Sequence, residues 1–217
     1  MKKLQVFLLL SLMIIVIASC DKSDDGMGEL GGSQSPIGKV GNSFSISSVS
    51  GISNPSAVVS SVNSGVSIVT CSGKITNSTY RGIVQSVTDE MIAGSLAISD
   101  DNVSANLKVK FTSDGAQSIY DDGTVCTLVK YNAKVGDVYT AKLGSNTLRR
   151  EVTSVSSEDD FSWGGMYIKV IEVKNTSMVP GVSDVTSYYN HKFGLVGMNI
   201  HFEDGSEKHI TITSLNY

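Results

Sequence analysis

MNIHFEDGSEKHITI, residues 198–212, reads as a β-hairpin from its alternation. Met198, Ile200 and Phe202 share one face of the incoming strand, and Asn199 and His201 the other. On the return, Ile210 and Ile212 alternate with His209 and Thr211. Successive strand side chains point to opposite faces, so each strand here has one dry and one wet face. A two-residue turn at Asp204-Gly205 would set apolar against polar positions. A three-residue loop, Glu203-Asp204-Gly205 with Gly205 left-handed, pairs like with like. One slip of register turns a whole face outward, so the three-residue loop is predicted.

The same grammar runs upstream. Leu107, Val109 and Phe111 alternate with Lys108 and Lys110, a strand wet on one face. Met166 to Val173 is apolar on both parities, which predicts a strand covered on both sides. Ser113-Asp114-Gly115, Asp121-Asp122-Gly123 and Glu203-Asp204-Gly205 supply turn chemistry. Val and Thr fit a pleated surface better than a helix. The fold expected is mainly β: an antiparallel curved sheet, open barrel or sandwich, with at most one or two short helices. Asn54-Pro55 before Ala57, Val58, Val59 and Val62 has the form of an N-cap and a first-turn proline. Tyr80, Ile83, Val84, Val87 and Met91 also fall at helical spacing.

An internal comparison argues for two related halves. KVGNSFS at Lys39 parallels KVGDVYT at Lys134, and YRGIVQSV at Tyr80 parallels LRREVTSV at Leu148. Phe111-Thr112-Ser113-Asp114-Gly115 loosely parallels Phe202-Glu203-Asp204-Gly205. On this reading residues 80–88 form a strand, because Glu151 and Thr153 break the helical stripe in the second copy, and residues 54–72 are an insertion in the first.

The N-terminus reads MKKLQVFLLLSLMIIVIASC, with Lys2 and Lys3 ahead of an apolar run from Leu4 to Ile17. Ile17-Ala18-Ser19-Cys20 resembles the lipobox of bacterial lipoproteins. The resemblance implies a signal peptide over residues 1–19 and acyl chains such as palmitate on Cys20. The run is short of the roughly 20 apolar residues of a spanning helix. Cleavage leaves 15 basic and 21 acidic residues, a net −6. With no Lys/Arg cluster, the chain lacks the electrostatic footprint of a nucleic-acid binder.

Residues 20–38 form the lipidated cysteine and a polar, glycine-rich tether, which precedes a single β domain over residues 39–217. As a flexible coil, the 18 residues after Cys20 reach roughly 23 Å on average. Ser23-Asp24-Asp25 resembles the acidic export signal of Bacteroidetes surface lipoproteins. That likeness implies an outer-membrane lipoprotein facing the cell exterior; without the signal it would face the periplasm. Tyr188-Tyr189-Asn190-His191-Lys192-Phe193-Gly194-Leu195-Val196-Gly197-Met198 is similar to a segment near the end of uncharacterised Bacteroidetes lipoproteins. It implies a predominantly β domain and no established activity.

Chemistry-bearing residues are few. No G-x-S-x-G elbow, H-E-x-x-H helix or C-x-x-C pair occurs. Glu151, Glu172, His201 and His209 are the ionisable candidates for an enzymatic site, and none forms a recognisable catalytic motif. His201 and His209 fall diagonally on one face, with Glu207 opposite His201, as weak metal-ligand candidates. Cys71 and Cys126 are an even pair in an exported chain and could close a loop of about 56 residues. Each also sits in an apolar run where a buried thiol is as natural. Phe161, Trp163 and Tyr167, around Gly164-Gly165, form a candidate binding patch, with a plug in a barrel end as the alternative. The expected function is non-catalytic binding of a small apolar ligand, a glycan or a protein partner, without a cofactor and with the membrane engaged through the lipid. A hydrolase or metal-binding domain of the cell envelope is the alternative.

Overall fold

A computed structural model describes residues 29–47, 51–76, 81, 94–121, 123–143, 146–177 and 179–215. The signal segment, Cys20, the first part of the tether and residues 80 and 82–88 lie outside them, and Arg81, the one described residue of the stretch expected as a strand, is helical. In chain order the first strands are β1 (Ser43–Ile46), β2 (Ile52–Asn63), β3 (Val66–Ile75), β4 (Gly94–Ser99), β5 (Asn102–Thr112), β6 (Gly115–Ile119) and β7 (Val125–Lys130). Then come β8 (Val138–Leu143), β9 (Asn146–Val155), β10 (Phe161–Trp163), β11 (Met166–Ile168), β12 (Ile171–Thr176), β13 (Val182–Asn190), β14 (Gly194–Phe202) and β15 (Glu207–Ser214).

The sheet runs β7-β6-β5-β3-β2-β1-β15-β14-β13-β12-β9-β8, with β4 added to the edge of β5 and all pairings antiparallel. This is an up-and-down, nearly closed barrel. The first and last strands pair, and the break in the ladder falls in mid-chain, between β7 and β8. We call the end where β1 and β8 begin the near rim and the opposite end the far rim.

Alternation sets which side chains enter the barrel. Val103, Ala105, Leu107 and Val109 of β5 are buried, while Lys108 and Lys110 stand outside. Thr70 and Asn106 hydrogen-bond on the same outer surface at 2.8 Å. A transmembrane barrel is apolar outside; this one has the opposite polarity. The C-terminal hairpin has the predicted register, with Met198 opposite Ile210 and His201 opposite Glu207. Gly205 is left-handed at φ 80°.

Residues 54–63 are strand, not helix. Asn54 takes φ 53°, and the register shifts between Ser53 and Ser56. Pro55, which has no N–H for the ladder, is thereby accommodated at a bulge. Met166 to Val173 is not one strand either. The chain breaks at Lys169-Val170, between a hairpin outside the barrel and a wall strand. Ile168 and Val170 join an outer apolar cluster, whereas Ile171 and Val173 enter the main core. Both parities are apolar because this segment serves two cores.

The two halves share one pairing scheme, and of the three sequence parallels the KVG pair marks equivalent positions, while the one beginning at Tyr80 lies outside the described residues. Gly41 N–H donates to Val59 O at 2.9 Å, and Gly136 N–H to Val152 O at 2.8 Å. Val59 N–H then returns to Asn42 O, and Val152 N–H to Asp137 O. The KVG turns thus open equivalent strand pairs, β1–β2 and β8–β9. Val152 corresponds to Val59, so residues 54–72 belong to β2 and β3 rather than to an insertion. The β5–β6 turn lies on the near rim and the β14–β15 turn on the far rim, so Phe111 and Phe202 do not correspond. The counterpart of Phe202–Ser206 is Tyr120–Thr124: Tyr120 N–H reaches Thr124 O, and Phe202 N–H reaches Ser206 O. Gly123 and Gly205 close both loops at φ 84° and 80°.

Candidate functional site

The barrel holds an apolar cavity of about 70 Å³ below the near rim. Its walls come from both halves, including Phe44, Leu107, Leu128, Tyr189 and Ile212, and its roof is Ile37. Ile37 sits in a single 3₁₀ turn, Pro36–Gly38, which Ser35 caps and proline begins. Ser35 N–H bonds Phe111 O at 3.0 Å, Ser67 Oγ donates to Gly38 O at 2.7 Å, and Asn42 Nδ2 donates to Ile37 O at 2.8 Å. A Cβ on Gly38 would lie 2.7 Å from Ser67 Oγ, and one on Gly194 would touch Ile37. The chain before this turn crosses the β5–β6 edge, where Leu30 N–H meets Gln117 Oε1 at 2.8 Å. The roof of the cavity is therefore the end of the tether. Ligand pockets run to roughly 300–1,000 Å³, so the closed space is too small for such a ligand.

Deeper in the barrel lies a polar layer that the motif search missed. Arg150 is 1% exposed, with Nη1 at the Cys126 sulfur. Burial lowers the guanidinium's pKa, and the phenols of Tyr189 and Tyr120 act in the opposite sense. Burial likewise pushes the Tyr189 phenol up to about 12, against the opposing pull of Arg150. Tyr189 thus faces the apolar cavity on one side and a buried cation on the other. Period-two reading could have found Arg150, which is in phase with the inward Val152.

The aromatic patch is divided by the structure. Gly164 and Gly165, both at positive φ, make the two-residue turn of β10–β11. The hairpin folds as a flap over the outside of the barrel. Trp163 is 4% exposed, stacks on Phe193 with centroids 4.4 Å apart, and donates from Nε1 to Ile212 O at 2.8 Å. Phe161 stacks on Tyr188 at 4.8 Å. Trp163 is thus core, and the exposed members are Tyr167 and its neighbour Met166.

The ionisable candidates lie on the outer wall, not in a cleft. His201 Nδ1 is 2.6 Å from Asp184 Oδ1, and its Nε2 is 3.7 Å from Glu207 Oε2. Lys174 Nζ bonds the other Asp184 oxygen at 3.1 Å. The two carboxylates occupy opposite ring nitrogens, so they cannot converge on one ion with His201. His209 Nδ1 meets Asn199 Oδ1 at 2.6 Å, and burial lowers its pKa. Glu151 pairs with Arg149, and burial raises the pKa of Glu172. Among the described residues, no group of three His, Cys, Asp or Glu side chains is placed to hold a metal.

Cys71 is a free, buried thiol, so the bridge to Cys126 is not made. The two lie on β3 and β7 with β5 and β6 between them. Three strand spacings are about 14 Å, twice the reach of a disulfide. No protein-family model matches the chain, and comparison with curated proteins and with solved structures found no match.

Proposed function

We propose that this chain is a lipid-anchored, non-catalytic binding protein of the outer membrane that takes a small apolar ligand into the near-rim end of its barrel. The observation that carries the reading is the cavity under Ile37: its lining is almost wholly apolar, and its roof is the last turn of the tether. A roof held by a few hydrogen bonds at the end of a polar segment can lift, and the walls can then accept more than the closed volume. The acyl chains on Cys20 keep the protein at the membrane, where apolar ligands concentrate. The Ser23-Asp24-Asp25 segment supports display on the cell surface.

The test is titration of the mature chain with the fluorescent apolar probe N-phenyl-1-naphthylamine. Saturable enhancement is expected, stronger in Ile37→Ala, which thins the roof, and lost in Ala116→Phe, which fills the cavity. Absence of saturable binding in the wild type and in Ile37→Ala, both folded by circular dichroism, overturns the reading.

A further inference from the structure

We propose that the near rim is a membrane-docking surface, which lays the cavity mouth and the flap tip against the phospholipid bilayer that holds the N-terminus. The proposal rests on the lipid-anchor reading, and it adds an orientation that an anchor on a flexible tether does not impose.

Every large apolar side chain that is exposed among the described residues belongs to this end. Val40 precedes β1, and Val58 and Leu215 flank the start of that strand. Val135 and Val138 stand at the start of β8, the equivalent place in the second half. Val155 ends β9, and Met166 and Tyr167 form the flap tip. Val40 and Val135, the repeated valines of the KVG turns, are 62% and 64% exposed. At the far rim the described large apolar residues, such as Ile52, Ile75, Val179 and Phe202, are buried. Singly scattered apolar residues need no explanation, but a set gathered at one end marks a contact surface.

The occupant is argued from the path of the chain. Described structure begins at Glu29, which pairs with Lys110 near the end of β5 on this same rim. Eight residues, 21–28, then separate Glu29 from Cys20, a path of nine Cα-to-Cα steps. Fully extended, they span at most about 32 Å, so the lipid lies within reach of the surface it would meet. Exposed charge at the near rim is mixed: Lys39, Lys134, Lys169 and Lys192 stand among Glu29, Asp114 and Glu158 to Asp160. The acids balance the lysines, so apolar contact is the attraction.

The acylated protein, reconstituted in phosphatidylethanolamine–phosphatidylglycerol vesicles, tests this directly. An NBD dye is attached singly at Val135→Cys, Tyr167→Cys and Asp204→Cys, and quenching by a headgroup-proximal doxyl lipid is read at each. Docking predicts about threefold or more quenching at positions 135 and 167 relative to 204, as for groups buried in the interface. Equal quenching at all three, or most at 204, overturns it. Absence of acyl mass on Cys20 in the intact protein would sink the anchor reading alone. The chain is then coupled to a maleimide lipid through the Cys20 thiol, and the same comparison decides docking.

Discussion

Replacing Trp163 with alanine separates a structural flap from a recognition surface. The indole is 4% exposed, packs on Phe193 and satisfies the Ile212 carbonyl from 2.8 Å. Truncation of a buried tryptophan costs about 3–5 kcal/mol where the surroundings cannot collapse. Here the flap has an escape, because a two-strand hairpin can lift away and expose its cluster to water. The loss is therefore capped by the docking free energy of the flap, and the lower end, about 3 kcal/mol, is expected. At 2–4 °C per kcal/mol for a domain of this size, the melting temperature falls by about 6–12 °C. Trp163→Phe keeps the stacking but strands the carbonyl, at about 1–2 kcal/mol. Circular dichroism melts of the mature chain give the shifts, and limited trypsin digestion at the exposed Lys169 reports lifting of the flap. A Trp163→Ala variant that melts within a degree or two of wild type, with Lys169 equally protected, would refute the reasoning and return Trp163 to the surface.

Gly115→Ala should be among the most damaging small substitutions. Its Cβ would lie 2.1 Å from Val129 O at φ 155°, a clash with backbone that no rotamer relieves; a loss of about 3 kcal/mol or more is expected in denaturant titration. Burial lowers the His209 pKa in the folded state, so the unfolded chain takes the proton more readily. Stability is then full above the unfolded value near 6.5 and declines as pH falls from there toward the lowered folded value. His209→Gln flattens that part of the stability–pH curve, and an unchanged slope counts against the assignment. Burial holds the Cys71 thiol neutral well above its usual range, so it should resist a thiol reagent until the protein unfolds; rapid native labelling would show the β3 wall to be open.

Much of the barrel was legible because period-two alternation is a local signal. The β14–β15 register followed from two apolar faces and one glycine, and β5 from three residues and two lysines. The errors arose where one signal served two structures. Pro55 looks like a helix start because a proline inside a central strand such as β2 is admissible only at a bulge, and bulges leave no sequence mark. Met166 to Val173 looks like one buried strand because a flap and a wall strand, abutting in sequence, are buried in different cores. Trp163 could be read as a binding aromatic or as a plug because exposure is a tertiary property: the flap turns the indole onto the wall and leaves Tyr167 outside. Arg150 was missed for the opposite reason. A doubled arginine reads as surface, although its phase with Val152 points it inward.

The position of the seam follows from the relation between the halves. Each half is a six-strand meander, and two such meanders joined end to end can close a barrel if the outer strands meet at both junctions. One junction, β1 to β15, carries a ladder of Phe44 with Ser214 and Ile46 with Ile212. The other, β7 to β8, is bridged by side chains, with Lys130 Nζ placed 5.9 Å above the Tyr139 ring. Its connecting loop already holds the KVG turn that opens the second half, so β8 leaves that turn committed to β9 rather than to β7. In the first half the same turn releases β1 between β2 and β15, where both edges are met. The shared pairing scheme therefore leaves one junction weaker, a seam that runs the height of the barrel between β7 and β8.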